Sequence, residues 1–322
     1  MSPFELGPVI ALLMQPLGNH SSYIPASYVK WLEMAGARVI PLSWYASAEE
    51  TDAVYRQADG SLWSGGGAPV PFAARRLFAS AMADYRSGKG AFPIWGTCDG
   101  FEWLMQVAAE DDKVLKSGFV SENISLPLNL TQAAGRSSLL ADANMVFVQG
   151  VKPRLSVRSA MSTLPITLNN HQLGVTPDDF AHNAKLPSLF DVLATNHDLK
   201  GREFISMVEG KGGLPMWGTQ FHPEKNIFEQ GMACDGSPPV PCAGRPTGRP
   251  FEHIAHSAAA VQMSQYMANF FVAQARKVKA VHSFDDPADL QKRLMYNKRT
   301  STSAAPAFVQ IYEFETKFDD RL

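Results

Sequence analysis

In Gly96-Thr97-Cys98-Asp99-Gly100 a cysteine stands between two glycines, after an apolar run, Phe92 to Trp95, and before a stretch of helical character, Phe101 to Ala109. The pattern G-x-C-x-G at a strand-to-helix turn is the cysteine counterpart of the nucleophile elbow. Such a turn forces the nucleophile into a strained backbone conformation, and neighbours with a Cβ would collide with it or with the crossing strand. The sulfur then projects from the sheet edge at a helix N-terminus, whose partial positive charge favours the thiolate. A thiol with pKa about 8.5 is only a few per cent ionised at neutral pH, so the expectation is a shift to about 7 or below. An isolated cysteine is more often a buried structural residue. The bracketing glycines reverse that balance.

A nucleophilic cysteine needs a base, and His222, in Gly218-Thr219-Gln220-Phe221-His222-Pro223-Glu224, is the best placed of the 8 histidines. It follows an apolar strand end, where a parallel sheet presents its catalytic groups. Glu224 is expected to take a hydrogen bond from one imidazole nitrogen and so turn the other toward the sulfur. The distance in sequence between Cys98 and His222 is no objection, because such sets assemble in space. Gly65-Gly66-Gly67 completes the group. The backbone amide of Gly66, with that of Asp99, is expected to bind the negative charge that develops on a substrate carbonyl. The glycine run fits neither a phosphate-binding loop, lacking a following Lys-Ser/Thr, nor the dinucleotide pattern G-x-G-x-x-G.

These residues need a scaffold, and the first hundred positions alternate strand and helix. The apolar run Pro8 to Met14 reads as a strand, and Ser22 to Ala35 as a helix with Pro25 in its first turn and Gly36 in a left-handed cap. A strand follows over Ala37 to Leu42. Ser47 and Glu50 form a capping box that opens a helix to about Ala58. Then come a strand Ser61 to Ser64, a helix Phe72 to Arg86, and the strand leading to Cys98. This alternation predicts an α/β fold, a doubly wound and mostly parallel sheet covered on both faces.

From about Asp111 to Thr167 the rhythm breaks into expected hairpins and one helix. Strands return near Asp191 to Thr195, Glu203 to Val208 and Pro215 to Phe221, with short connections that predict an antiparallel extension of the sheet. Gly231 to Pro250 reads as a surface excursion rather than a linker. Ser257 to Lys277 is the longest predicted helix, with Met263, Met267, Phe270 and Phe271 on its core stripe. Residues 1–322 are expected to be one domain, with 231–250 as the excursion and 278–322 as a C-terminal extension.

Hydrophobic residues make up 45% of the 322 and charged residues 19%, which argues against disorder, collagen and coiled coil. With 29 basic and 31 acidic residues there is no basic surplus for nucleic acid or anionic lipid, and no apolar run is long enough to cross a bilayer. Of the 3 cysteines, Cys234 and Cys242 flank a Gly- and Pro-rich loop that lets the two sulfurs meet in a disulfide. The set Cys234, Cys242, His253 and His256 fits no common zinc spacing, so no metal is expected. Sequons begin at Asn19, Asn123 and Asn129. With a disulfide they point to a secretory or lysosomal compartment. Against them, Met1 to Gly18 lacks the basic and long apolar regions of a secretory leader.

Taken together, the chain resembles the γ-glutamyl hydrolases of the class I glutamine amidotransferase-like superfamily. The resemblance rests on Ser22-Tyr23-Ile24-Pro25-Ala26-Ser27-Tyr28-Val29-Lys30, Ala35-Gly36-Ala37-Arg38-Val39, Pro93-Ile94-Trp95-Gly96-Thr97-Cys98, Gly100-Phe101-Glu102, Leu126-Pro127-Leu128-Asn129, Glu203-Phe204-Ile205-Ser206 and Gln220-Phe221-His222-Pro223-Glu224-Lys225. It implies a flavodoxin-like fold and no cofactor. It implies that Cys98 attacks the γ-amide carbonyl of a glutamyl unit in folyl or antifolyl poly-γ-glutamates, that His222 moves the proton, and that Glu224 orients His222. By the same resemblance Tyr23, Glu102 and His171 line the glutamate pocket and the protein forms a homodimer; the sequons and the disulfide, set against the missing leader, make lysosome, vacuole or the exterior the expected compartment. Three departures stand out: Asp99 in place of an aliphatic residue, bringing a negative charge near the thiolate, Ser64 where proline is usual, and a long excursion from Cys234 to Pro250. Two other readings remain open at this level, a glutaminase that feeds ammonia to a synthase, and a noncatalytic relative whose Cys98 senses oxidants.

Overall fold

The structure, a computed structural model, describes residues 6–18, 21–150, 154–234, 246–278, 286–302 and 308–315. Along the first part of the chain run β1 (Val9–Leu13), β2 (Gln15–Leu17), β3 (Ser21–Pro25), α1 (Ala26–Met34), β4 (Arg38–Leu42), α2 (Ala48–Gln57), β5 (Gly60–Trp63), α3 (Phe72–Ser87), β6 (Ile94–Thr97) and α4 (Asp99–Ala109). They are followed by β7 (Lys116–Leu126), β8 (Asn129–Leu130), β9 (Thr167–Gly174), β10 (Phe190–His197), β11 (Glu203–Gly210) and β12 (Met216–Thr219). Among the described residues the central sheet has the order β4-β1-β5-β6-β12-β11-β10-β8. The strands from β4 to β12 pair in parallel, and β11, β10 and β8 continue in antiparallel fashion. Numbered by chain order, the parallel strands run second, first, third, fourth, fifth, which is the flavodoxin-like arrangement.

Both faces of the sheet are covered, which is why β1 is apolar at every position and buried throughout. Ile10 and Leu12 face one core, which the long helix Ala258–Arg276 packs with Met263, Met267 and Phe271. Val9, Ala11 and Leu13 face the other, filled from α3 and α4 by Leu77, Phe101 and Leu104. Local signals set several boundaries. The Ser47–Glu50 capping box opens α2 with both of its bonds made. Gly36 ends α1 at φ +85, a conformation that costs a glycine little.

The single helix expected over Ser22 to Ala35 is instead β3 followed by α1, with Pro25 as N-cap at φ −61 and ψ 130. Ser21–Pro25 is claimed as a strand by partners on both sides, β2 and the C-terminal strand Gln310–Glu315, where Tyr23 pairs with Glu313. No pattern within the segment itself signals a partner that far along the chain. The expected hairpins of the middle region are likewise replaced by a long-range pair, β7 with β9. The excursion is described as a strand pair, Met232–Cys234 with Pro246–Pro250.

Candidate active site

Cys98 sits at φ 53 and ψ −114 and caps α4, outside the wells that non-glycine residues ordinarily occupy. Its N–H donates to Thr219 O of β12 at 2.8 Å, and its carbonyl accepts the Glu102 N–H at 2.9 Å. Both flanking glycines are required by the approach of backbone to backbone. A Cβ on Gly96 would lie 2.5 Å from Gly100 O, and one on Gly100 would lie 2.1 Å from Trp63 O at the end of β5.

The charge state of the sulfur differs from the expectation drawn from its place at a helix end. Cys98 is only 5% exposed. Burial pushes its thiol well above the usual cysteine range, the carboxyls of Glu102, Asp99 and Glu224 push the same way, and a hydrogen bond from the Asp99 N–H only partly opposes them. The helix end supplies a fraction of a charge, and removing a thiolate from water outweighs it. The resting site therefore holds a thiol. Its carboxyl neighbours are also displaced: burial raises Asp99 to about 7, and burial together with the Asp99 charge raises Glu102 well above the usual range. Like charges this close do not ionise together.

His222 lies on the segment leaving β12, its N–H donating to Leu168 O of β9 at 2.9 Å. Its Nδ1 is 2.7 Å from Glu224 Oε1. With Nδ1–H donated to that carboxylate, Nε2 is the free lone pair, the tautomer a general base needs. The His222 ring and the Cys98 Cβ approach the same point beside the glycine loop: a Cβ on Gly65 would be 2.9 Å from His222 Cε1 and 3.2 Å from Cys98 Cβ. Tyr28, which the residue types alone did not single out, completes this arrangement. Its hydroxyl accepts the Gly65 N–H at 2.9 Å and lies 3.3 Å from His222 Nδ1. Burial first, then the Glu224 and Cys98 charges, hold its phenol well above the usual range.

Two small cavities meet at Cys98. One, of about 130 Å³, is lined by Tyr23, Gly66, Cys98, Asn170, His222, Lys225 and Phe308. The other, of about 270 Å³, includes Gly66, Cys98, Glu102, Glu122, Asn170 and His171 among its walls. Tyr23, Glu102 and His171 thus all border the space around the sulfur. Burial, followed by Asp99 and Cys98, raises the Tyr23 phenol to about 12. Glu102 accepts from Gln220 Nε2 at 2.9 Å. His171 is neutral, its pKa lowered to about 4 chiefly by burial. Its Nδ1 bonds Leu173 O at 2.6 Å, while Nε2 is buried with no partner among the described residues.

Asn170, Lys225, Glu252 and Gln15 were not found from residue types. Lys225 is buried, its Nζ 2.7 and 2.8 Å from the Glu252 carboxylate, which also accepts from Asn170 Nδ2 at 2.7 Å. A lysine that sits fully inside beside a cavity is visible only once the fold is known, because its position in the sequence resembles any polar turn. The Cys234–Cys242 pairing and the Asn19 sequon fall outside the described residues and side chains. Asn129 is exposed on β8, and the Asn123 side chain accepts the His253 N–H.

Residues 19–234 match the family model described as glutamine amidotransferase class-I. Over 323 residues the chain is 33% identical to gamma-glutamyl hydrolase B of Dictyostelium discoideum, covering 96% of this chain and 83% of that one. It is 31% identical over 326 residues to gamma-glutamyl hydrolase of Bos taurus, covering 98% of this chain and 92% of the other. With gamma-glutamyl hydrolase of Mus musculus it shares 32% identity over 321 residues, 96% of this chain and 90% of that one. The chain belongs to the γ-glutamyl hydrolases. In this hydrolase the departure at Ser64 has a structural counterpart: its hydroxyl donates to Leu13 O of β1 at 2.9 Å, tying the glycine loop to the neighbouring strand. No described helix is long and apolar enough to cross a membrane.

Proposed function

We propose that this chain hydrolyses γ-glutamyl amide bonds of folyl and antifolyl poly-γ-glutamates through a thioester on Cys98. The observation that carries the reading is the strained Cys98 turn sharing a cavity with His222, whose ring is held by Glu224 at 2.7 Å. Sγ attacks the γ-carbonyl carbon as its proton passes to His222 Nε2, so the thiolate forms only as it reacts. The carbonyl oxygen takes up the negative charge beside the amides of Gly66 and Asp99. The tetrahedral adduct collapses, the leaving amine takes the proton from His222, and the γ-glutamyl thioester remains. Water, deprotonated by the same nitrogen, attacks the thioester; the adduct collapses to the free γ-carboxyl group of glutamate, and the Cys98 thiolate leaves and takes the proton back from His222.

Burial of the thiol favours this order of events, because a substrate that fills the cavity would further penalise a free thiolate. A buried ammonium at Lys225 and neutral polar groups at Asn170 and Tyr23 suit the α-carboxylate of a glutamyl unit. The exposed Asn129 sequon supports the lysosome, vacuole or extracellular space as the compartment, and the proposed assembly is a homodimer. Cys98→Ala is expected to abolish release of glutamates from pteroyl pentaglutamate with its circular dichroism spectrum and urea midpoint retained. Turnover by the folded variant would overturn the assignment. Free glutamine consumed faster than the pentaglutamate would favour an ammonia-producing glutaminase instead.

A further inference from the structure

The loop that presents Gly66 is held at both ends by side chains. At its start, Ser64 Oγ donates to Leu13 O, and Gln15 Nε2 donates to Ser64 O at 3.0 Å. At its far end, Ala68 N donates to Asp99 Oδ2 at 3.0 Å, and Trp103 Nε1 donates to Ala68 O at 2.8 Å. Asp99 and Trp103 are four residues apart on α4 and so lie on one face of it. Both polar groups of residue 68 are therefore gripped by successive turns of the helix that Cys98 caps. Gln15 joins the two ends, since the same Nε2 also donates to Asp99 Oδ2 at 3.0 Å. Its amide lies so close under the loop that a Cβ on Gly66 would be 2.1 Å from Gln15 Cδ. Between these fixed ends Gly66 and Gly67 are exposed, and their N–H groups have no partner among the described residues.

We propose that Asp99 is a positioning residue: its carboxylate locks the 64–68 loop to the nucleophile's own helix and so sets the Gly66 N–H at a fixed distance from Sγ. One residue then governs both oxyanion donors, one through its own amide and the other through its side chain. An aliphatic residue at 99 would leave the Ala68 N–H and the Gln15 amide without this acceptor. Donors that are not preorganised lose most of their effect on a developing charge, and a misplacement of about 1 Å can cost about 10²-fold in rate.

The lock depends on protonation. The groups facing Asp99 are Cys98 and Glu102 on α4 and Tyr23 on β3, while Gln15 and the loop present only neutral polar groups. Asp99 accepts two hydrogen bonds on one oxygen, and with its carboxyl raised to about 7 it loses charge and acceptor strength as the pH falls below neutrality. Asp99→Asn keeps a neutral acceptor at the same place; Asp99→Leu removes it.

The catalytic consequence rests on the hydrolase reading, so the test has one arm that depends on turnover and one that does not. For pteroyl pentaglutamate hydrolysis between pH 5 and 8, Asp99→Leu is expected to lower kcat at least about tenfold with KM within about twofold. Asp99→Asn is expected to give a kcat between those of wild type and Asp99→Leu, near the level wild type reaches when Asp99 is protonated, and so to flatten the acid limb of the profile. In hydrogen exchange, the bonded amides at the two ends of the loop, Gly65 and above all Ala68, are expected to lose protection in Asp99→Leu and keep it in Asp99→Asn. Equal kcat in wild type and Asp99→Leu, or equal loss in both variants, overturns the proposal. Should Asp99→Leu fail to fold, an acid limb in Asp99→Asn identical to wild type overturns it. A wild type that does not cut this substrate, or a Cys98→Ala variant that does, strikes the hydrolase reading, and exchange equal in all three proteins still refutes the lock.

Discussion

In the proposed mechanism a buried thiol with the carboxyls of Glu102, Asp99 and Glu224 near it reacts only if its proton has a prepared destination, and that places the burden on His222. Glu224 has one oxygen 2.7 Å from Nδ1 and the other buried without a partner among the described residues. The imidazole is the carboxylate's close partner, with the Tyr28 phenol beside both. Glu224→Gln presents an amide whose NH2 group competes for the same nitrogen and removes the charge that stabilises the imidazolium. We expect kcat to fall by about 10² or more with KM for the pentaglutamate little changed, measured by steady-state kinetics. A kcat within threefold of wild type would show that His222 is oriented by other contacts, of which the Tyr28 hydroxyl at 3.3 Å is the nearest.

At the scale of elements, the site is assembled where β5, β6 and β12 end, each strand handing over to a segment that carries one part: the glycine loop, the elbow and His222. Parallel neighbours deliver their C-terminal ends to one edge, which is why segments far apart in sequence converge there. The elbow and the loop are in backbone contact through Gly100, whose Cα faces Trp63 O. Gly100→Ala places a methyl 2.1 Å from that carbonyl, and no side-chain rotation relieves a clash with backbone. The expected result is a loss of at least about 1–3 kcal/mol of stability in urea unfolding. Activity should drop as well, because the strand end that must move carries the Gly65–Gly67 loop. An unchanged urea midpoint would mean that β5 and α4 separate more readily than their packing implies.

For the molecule as a whole, the buried titratable groups of the site give stability opposing pH dependences. His171 has a folded pKa of about 4, below its unfolded value of about 6.5, so the fold binds fewer protons there and loses stability as pH falls from about 6.5 toward 4. Asp99 has a folded pKa of about 7, above its unfolded value of about 3.9, so its contribution is intact at low pH and lost as pH rises toward 7. His171→Gln should therefore raise the urea midpoint at pH 5 relative to pH 7, and Asp99→Asn should do the reverse. Midpoints at the two pH values that shift equally in wild type and both variants would refute the assignment of these groups. What the sequence determined by itself was set by contacts a few residues long: the elbow glycines, the Ser47–Glu50 capping box, the Gly36 cap, and the pairing of His222 with Glu224. Alternating strand and helix runs added the parallel sheet, because each run carries its own apolar period. Only the tertiary structure decided that Ser21–Pro25 is a strand, that Cys98 rests as a thiol, and that Gln15, Tyr28, Asn170 and Lys225 surround it. Those facts depend on desolvation and on groups brought together from distant segments, neither of which leaves a local pattern in the chain.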